Sequence, residues 1–219
     1  MILVDAYRAG FGGQDLESAR RVLQTLSSGA VDAAVEAFET GEYDSDCLCK
    51  LLEDESFLLS HTSGSLAREF LEWKRLRDLD ISPASSMMVR GCPVPETVEA
   101  SYLLPVIGAP EDDTKRHWVI RRWGAAHDLW HVITGFDVDP LGEALLAAWS
   151  SAATPKDWGN LLFAVVAGIM KPRMVPRLWR SYWWGRSFRG VLVTAPWERW
   201  LMLEPGQVLQ ELERLRSSS

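Results

Sequence analysis

Two histidines, an aspartate and a glutamate crowd into one short stretch of this chain. The sequence reads His127-Asp128-Leu129-Trp130-His131, and Glu143 follows after eleven further residues. The chain has only four histidines in 219 residues, so two of them one helical turn apart are a specific signal. On a helix, positions i and i+4 share a face with Cβ atoms about 5–6 Å apart, and two imidazoles at that spacing can reach one metal ion.

The residues around these side chains predict a helical hairpin. A helical pattern runs from Lys115 to Gly135, and glycine is the usual residue just past a helix end. Asp139-Pro140 then combines a capping side chain with a proline at the first helical position. Glu143 would therefore stand in the first turn of the second helix, where a short connection can aim it back at the histidines.

Two imidazoles and one carboxylate suit Zn²⁺ foremost, with Fe²⁺, Mn²⁺ or Mg²⁺ as alternatives. Asp128 lies about 100° around the helix from His127 and about 60° from His131. It is therefore a fourth ligand, a group that orients an imidazole, or a general base beside a metal-bound water. The competing interpretation makes all four residues ordinary polar groups on a partly buried helix. The combination with a compatible turn favours a metal.

Two other classes of metalloenzyme fit less well. The motif is not H-E-x-x-H, so the general base of a zinc protease is missing from its usual place. A metal phosphohydrolase would need further ligands, and His61, His117 and Asp157 are available for that role but lie in no supporting local pattern. The phosphohydrolase is the weaker alternative.

The remaining sequence predicts one all-α domain over residues 1–219. Apolar residues recur at helical spacing in most segments, and only Gly190 to Thr194 is expected to be extended. The stretch from Ile81 to Asp113 holds five prolines and is expected to form a long ordered connection with one helical turn at 97–103. Further helices are predicted over Asp15–Leu26, Ala30–Phe38, Leu48–Leu52 and Ser65–Leu79, from a Thr154-Pro155 start to Gly168, and over Gln207–Arg216. Ser65 is the predicted N-cap of its helix.

Composition and charge exclude several functions. A formal net charge of −7 argues against nucleic-acid binding. The three cysteines form no CxxC pair, which fits a reducing compartment. The N-terminal residues do not read as a secretory signal, and the longest apolar run, Leu161 to Met170, is far short of the roughly 20 residues that span a bilayer. A cytoplasmic protein, peripheral at the inner face of the cell membrane at most, is expected.

Residues 170–190 contain six basic residues and no acidic one, interleaved with aromatic side chains. This composition is typical of a surface that meets anionic headgroups, and Trp179, Arg180, Trp183 and Trp184 are the residues predicted at such a membrane interface. The alternative places the tryptophans in the core, with the arginines extending over it into water.

The metal motif resembles the signature of the coenzyme Q (ubiquinone) biosynthesis protein 4 family. Other segments are similar to that family: an arginine-rich lead-in with Arg116, Arg121 and Arg122, the turn His-Val-Ile-Thr-Gly at 131–135, the segment Ser63 to Phe70, and Trp197-Glu198-Arg199-Trp200 before a short amphipathic helix. The resemblance extends over about residues 50–216 and is strongest over 116–150.

The resemblance implies an all-α metal protein of ubiquinone biosynthesis. Its ligands would be His127, Asp128, His131 and Glu143, with Asp128 and His131 catalytic. The family is associated with removing the carboxyl group from a polyprenylated benzoate ring and helping to install a hydroxyl at that carbon. Arg121 and Arg122 are candidate partners for a substrate phosphate or carboxylate, although solvated helix charges are the commoner outcome.

The resemblance also implies partners: a polyprenylated aromatic or isoprenoid lipid, the membrane surface, and other quinone-biosynthesis proteins or a second copy of the chain. A different class of function stays open beside the enzyme. In that alternative the chain is an isoprenoid-lipid-binding scaffold for quinone-biosynthesis enzymes, and its metal is structural. An open coordination position separates the two, because structural sites are closed by protein ligands.

Overall fold

The computed structural model describes residues 29–36, 47–77, 114–192 and 194–217. Residues 29–36 are helical, in agreement with the start of the helix predicted from Ala30. The predicted helix Asp15–Leu26, the connection Ile81–Asp113 and its helical turn at 97–103 lie outside the described residues.

The described part of the chain contains nine further α-helices and no strand. In chain order they are α1 (Cys47–Glu53), α2 (Glu55–Ser60), α3 (Leu66–Leu76), α4 (Thr114–Thr134), α5 (Pro140–Ala153), α6 (Trp158–Met170), α7 (Val175–Gly185), α8 (Trp197–Trp200) and α9 (Pro205–Ser217). Single 3₁₀ turns at Pro172–Met174 and Arg186–Phe188 bracket α7. The all-α prediction is confirmed.

The predicted hairpin of α4 and α5 is present, and local chemistry explains its shape. Gly135 ends α4 in the left-handed region at φ +69° and donates its N–H to the His131 carbonyl at 2.9 Å. Asp139 caps α5 by accepting the Gly142 N–H at 2.6 Å, and Pro140 fills the first helical position. Gly142 lies directly against the Asp137 backbone, where a Cβ atom would not fit.

Helix α4 passes through the main core. Its buried apolar side chains pack against α1 to α3 on one side and against the C-terminal residues on the other: Ala125, Ala126, Leu129, Trp130 and Ile133 from α4, with Leu52, Leu58, Phe70, Trp149, Phe188, Trp197, Val208 and Leu212. At about 25 cal/mol per Å² of apolar area removed from water, a core with this many buried Leu and Trp side chains accounts for the stability of the arrangement. Because α4 is central, its polar residues are held on a rigid element.

The start of α3 is joined to the C-terminal part of the chain by backbone hydrogen bonds. Ser65 caps α3, as predicted, and the N–H groups of Leu66 and Ala67 donate to the carbonyls of Leu203 and Leu201 at 2.6 and 2.9 Å. These bonds satisfy donors that a helix start otherwise leaves unpaired. The start of α3 is thus held by the residues that directly follow Trp197–Trp200.

Helices α6 and α7 both pack on α5. Gly185 of α7 lies directly against the Trp149 backbone, where a side chain would not fit, and Ser181 donates its hydroxyl to the Leu145 carbonyl at 2.7 Å. Ala164 of α6 and Leu178 of α7 join Ala144, Leu145 and Ala148 in a second apolar cluster. The opposite sides of α6 and α7 therefore face away from α5.

Two local predictions are wrong: the start of α6 and the extended segment after Gly190. Thr154 does not start α6: its N–H donates to the Ser150 carbonyl and ends α5, while Asp157 caps α6 by accepting the Asn160 N–H at 3.2 Å. The helix begins after Asp157 rather than at Thr154-Pro155 because the Asp157 carboxylate makes two hydrogen bonds there: besides the Asn160 N–H, it accepts from the Asn160 side-chain amide at 2.8 Å. Residues 190–192 form turns rather than an extended segment, and Gly190 supplies φ +91°.

None of the helices in the described residues is both long enough and apolar enough to cross a membrane. This agrees with the short apolar run of α6.

Candidate metal centre

His131 is the most enclosed of the candidate ligands. Its Nδ1 lies 2.9 Å from the Phe136 carbonyl, and a carbonyl only accepts, so Nδ1 carries the proton and donates it. In the neutral ring the lone pair is then on Nε2, and this buried atom makes no hydrogen bond with any residue that the structure describes. The ring is held by Trp73, whose centroid lies 5.4 Å away at an interplanar angle of 24°. This is the arrangement of an imidazole fixed for ligation.

His127 and Glu143 complete a cluster with His131. The Glu143 carboxylate lies between the rings, with Oε1 3.4 Å from His131 Nε2 and Oε2 3.8 Å from His127 Nε2. One ligand atom from each of the three residues lies within 4.8 Å of the other two. The two imidazoles stand nearly perpendicular, at 78°, with centroids 4.9 Å apart. Two nitrogens and a carboxylate oxygen at this separation fit one divalent ion.

The charges in the cluster are coupled. Burial opposes protonation of His127, but the Asp128 carboxylate and the negative charge of Glu143 outweigh it and raise the pKa of this imidazole. Burial would raise the pKa of Glu143, yet the contact with His131 and the charges of both histidines lower it. With its pKa lowered, Glu143 is an ionised carboxylate at neutral pH. It lies between the Nε2 atoms of His127 and His131, and its negative charge attracts a cation.

Asp128 lies behind His127 and pairs with Lys74. The Lys74 ammonium is 3.1 Å from Asp128 Oδ2, and both side chains are buried. The other carboxylate oxygen lies 3.6 Å from His127 Nδ1, too long for a hydrogen bond but close enough for electrostatic attraction. Asp128 is absent from the three-residue cluster around Glu143. Of the three roles open to Asp128, its surroundings favour orienting an imidazole.

The turn between α4 and α5 is fixed from outside the hairpin. Arg77, just past α3, donates to Asp137 Oδ1 at 2.9 Å, and its guanidinium lies 5.0 Å from the Trp73 ring centroid. Hydrogen bonds from Arg77 and from the Val138 N–H hold the pKa of Asp137 below its usual range. The same turn presents the Phe136 carbonyl to His131. Two residues at the end of α3 therefore contact the hairpin: Lys74 pairs with Asp128, and Arg77, just past the helix, binds Asp137.

Of the two predicted substrate arginines, the structure describes the side chain of Arg122, which lies away from the cluster. Arg122 is buried and pairs with both carboxylate oxygens of Glu198, and it also donates to the Ala195 carbonyl at 2.7 Å. It lies about 140° around α4 from His127. The pair joins α4 to α8, which favours a structural role for Arg122, and its part in substrate binding stays a prediction. The Arg121 side chain lies outside the described residues.

The residues considered as extra ligands for a phosphohydrolase lie elsewhere or are not described. His61 ends α2, with its Nδ1 2.9 Å from the Phe57 carbonyl. Asp157 is committed to the cap of α6, where burial raises its pKa to about 6. The His117 side chain lies outside the described residues. Within the described residues, His127, His131 and Glu143 are the one group of three arranged to hold a metal.

The four residues predicted at a membrane interface divide into two groups. Trp179, Arg180 and Trp183 are exposed on α7. Trp184 instead packs inward, with its ring centroid 5.9 Å from Phe136 and from Trp149. Trp184 is partly buried and packs against the core, whereas its neighbour Trp183 is exposed, because successive helix positions point about 100° apart.

Sequence reasoning missed Lys74, although a signal was present. Leu66, Ala67, Phe70 and Leu71 form the apolar stripe of α3, and Lys74 continues that stripe at the next helical position. A lysine in an apolar stripe is almost never fully buried unless it is paired. The stripe could therefore have indicated a buried anionic partner for Lys74, but not that this partner is Asp128.

Fold and site together define an all-α protein with a candidate mononuclear metal centre in a helical hairpin. The chain is similar in fold to a solved structure, a proposed ubiquinone biosynthesis protein of Nostoc punctiforme PCC 73102, with a TM-score of 0.52 and 18% identity over 87% of this chain and 81% of that one. No family model matches the chain, and no curated protein matches it.

Proposed function

We propose that this chain is a metal-dependent protein of ubiquinone biosynthesis that acts on the head group of a polyprenylated aromatic lipid. One observation carries the proposal: His131 Nε2 is buried and makes no hydrogen bond with the described residues, and it lies with His127 Nε2 within 4 Å of the Glu143 carboxylate. The fold similarity to a proposed ubiquinone biosynthesis protein supports the biological setting.

The pairing of Asp128 with Lys74 favours an enzyme over a scaffold with a structural metal. If Asp128 stays with Lys74, three protein ligands hold the ion and at least one coordination position is open to substrate. The Glu143 side chain is 32% exposed and that of His127 is 19% exposed, whereas His131 is enclosed. A ring carboxylate or phenolate would therefore approach from the side of Glu143 and His127.

The residues of the chain divide the work. His127, His131 and Glu143 would hold a divalent ion, Zn²⁺ foremost, which when bound would neutralise the substrate carboxylate and the charge that develops as carbon dioxide leaves. Asp128 orients His127, and the Phe136 carbonyl and Trp73 orient His131. In the decarboxylation the bond between ring and carboxyl carbon breaks, carbon dioxide leaves, and the electron pair left on the ring carbon takes up a proton. A hydroxyl at that carbon would further require an oxidant such as dioxygen.

The test combines metal analysis with complementation of a ubiquinone-deficient strain. The wild type should bind about one divalent ion and restore the quinone. Glu143→Gln keeps the shape of a partly exposed side chain but removes an anionic ligand, and it should lose both properties. Asp128→Asn should keep the ion with affinity lowered about 10–100-fold, as expected when a group behind a ligand is changed.

His61→Ala is the matched control, because this histidine lies at the end of α2 outside the cluster. It should bind metal and restore quinone like the wild type. A Glu143→Gln variant that retains the ion and full rescue would refute the metal-dependent mechanism. Normal metal binding by the wild type without any rescue would refute the ubiquinone assignment.

A further inference from the structure

Exposed large apolar side chains are concentrated in one segment of the described chain, helices α6 and α7. Of the eleven such side chains in the described residues, eight lie between Trp158 and Trp183, and Leu59, Leu76 and Met202 are scattered elsewhere. The eight are Trp158, Leu162, Val165, Ile169, Met170, Val175, Trp179 and Trp183. We call this surface of α6 and α7 the outer face. A concentration of this kind marks an interaction site, whereas single exposed apolar residues do not.

The apolar residues of the outer face follow helical spacing. Trp158, Leu162, Val165 and Ile169 recur at intervals of three and four along α6. Along α7, Val175, Trp179 and Trp183 recur every fourth position. The helices meet where Gly168 lies against Val175 and Leu178, so the second stripe begins beside the end of the first.

Aromatic and cationic groups on α7 contact one another at the surface. The Trp179 ring centroid lies 5.5 Å from that of Trp183 and 6.4 Å from that of Tyr182. The Arg186 guanidinium lies 4.7 Å from the Trp183 ring centroid. These contacts hold large amphipathic rings at the surface, and such rings favour the boundary between water and hydrocarbon.

The charge of the outer face is opposite to that of the whole chain. From 158 to 197 the sequence contains no acidic residue, although the chain carries a net charge of −7. Six basic residues of this stretch are exposed, and none forms an ion pair with a residue that the structure describes: Lys171, Arg173, Arg177, Arg180, Arg186 and Arg189. An anionic partner would be attracted to this surface.

We propose that the outer face docks the protein on the surface of a lipid bilayer that contains anionic headgroups. Exposed tryptophans would enter the interfacial region while the arginines contact phosphates. A symmetric dimer through this face is disfavoured, because it would bring two sets of six cations together without an acidic residue between them. The proposal depends on α6 and α7 alone and holds whether or not the metal centre is catalytic.

The experiment is sedimentation of the full chain with phosphatidylcholine vesicles, with and without phosphatidylglycerol. The wild type should bind the anionic vesicles more tightly, and added salt should weaken that binding. Reversing Arg173, Arg177 and Arg180 to glutamate should lower partitioning at least a hundredfold, since each basic residue near an anionic surface contributes about fivefold. Trp179→Ala with Trp183→Ala should weaken binding at high salt as well.

Matched controls come from exposed side chains outside the outer face. Leu76→Ala removes an apolar residue that is 83% exposed, and Arg199→Glu reverses an exposed cation. Both should sediment like the wild type, and circular dichroism verifies the fold of every variant. Equal wild-type binding to neutral and anionic vesicles would overturn the proposal. So would a concentration-dependent dimer that the tryptophan variant abolishes while vesicle binding stays unchanged.

Discussion

The α4–α5 hairpin and the α6–α7 pair, which packs on α5, differ in how their charged side chains are placed. At the candidate metal centre the charged groups are buried or partly buried, and each acidic group lies beside a nitrogen: Asp128 beside Lys74, and Glu143 beside the two histidines. On α6 and α7, cations are exposed and have no acidic residue in the same stretch. We therefore propose a small ion as the ligand of the first set and an extended anionic surface as the partner of the second.

The comparison predicts that changes in the hairpin alter stability strongly, whereas changes on the outer face alter binding with little effect on stability. Buried charges depend on their partners, since an uncompensated buried charge is costly. Solvated side chains lack that dependence, and their replacement usually changes stability by less than about 0.5 kcal/mol.

The largest effect should follow from removing Lys74. Lys74→Met leaves the Asp128 carboxylate buried without its cation and should lower the free energy of unfolding by about 3–5 kcal/mol. The double variant Lys74→Met with Asp128→Asn should recover part of this loss, because it removes both charges. Urea denaturation of the two single variants and the double variant measures the coupling. Additive effects would show that Lys74 and Asp128 do not act as a pair.

A smaller, pH-dependent effect is expected at Asp157, which precedes the acid-free stretch. Burial raises its pKa from 3.8 to about 6, so the folded state binds more protons than the unfolded state between those values. Wild-type stability contributed by this group is therefore present below about pH 4 and is lost as pH rises through about 6.

Asp157→Asn keeps an oxygen that can cap α6 and removes the titration. Relative to the wild type, the variant should gain about 2–3 kcal/mol of unfolding free energy between about pH 4 and pH 7. Denaturation curves at several pH values measure this difference. A difference between variant and wild type that does not change with pH would rule out a buried, titrating Asp157.

The smallest effect should come from the outer face. Trp179 and Trp183 are 60% and 47% exposed, so alanine at either position should change the unfolding free energy by less than about 0.5 kcal/mol. Trp149 is fully buried in α5, and Trp149→Ala should cost about 3–5 kcal/mol. Thermal unfolding of the three variants compares them. A large loss at Trp179 or Trp183 would place these rings in the core and break the contrast.

Features that depend on neighbouring residues in the chain could be predicted from the sequence. Gly135 as a helix end, Asp139-Pro140 as a helix start and Ser65 as a cap each depend on a few adjacent groups, and all three are present. These signals predicted the hairpin and placed Glu143 near the two histidines, where the structure has it. The exposed position of Trp179 and Trp183 also agrees with the pattern of α7.

Features that depend on contacts between distant segments could not be predicted. Lys74 and Asp128 lie on different helices, so no local pattern connects them. Arg122 likewise pairs with Glu198, which is distant in the sequence, so this contact could not be read from the residues around Arg122. Trp184 follows Trp183 directly but points into the core, which only the packing of α7 on α5 decides. Helix α6 begins after Asp157 and not at Thr154, because the Asn160 side-chain amide donates a hydrogen bond to the Asp157 carboxylate.

The central claim is that His127, His131 and Glu143 hold a metal while Asp128 stays with Lys74. Anomalous diffraction from crystals grown with Zn²⁺ tests it most directly. The account predicts one ion about 2.0–2.2 Å from His127 Nε2, His131 Nε2 and a Glu143 oxygen, with Lys74 still paired to Asp128. An ion bound by Asp128 with Lys74 displaced, or no ion between these residues, would contradict it.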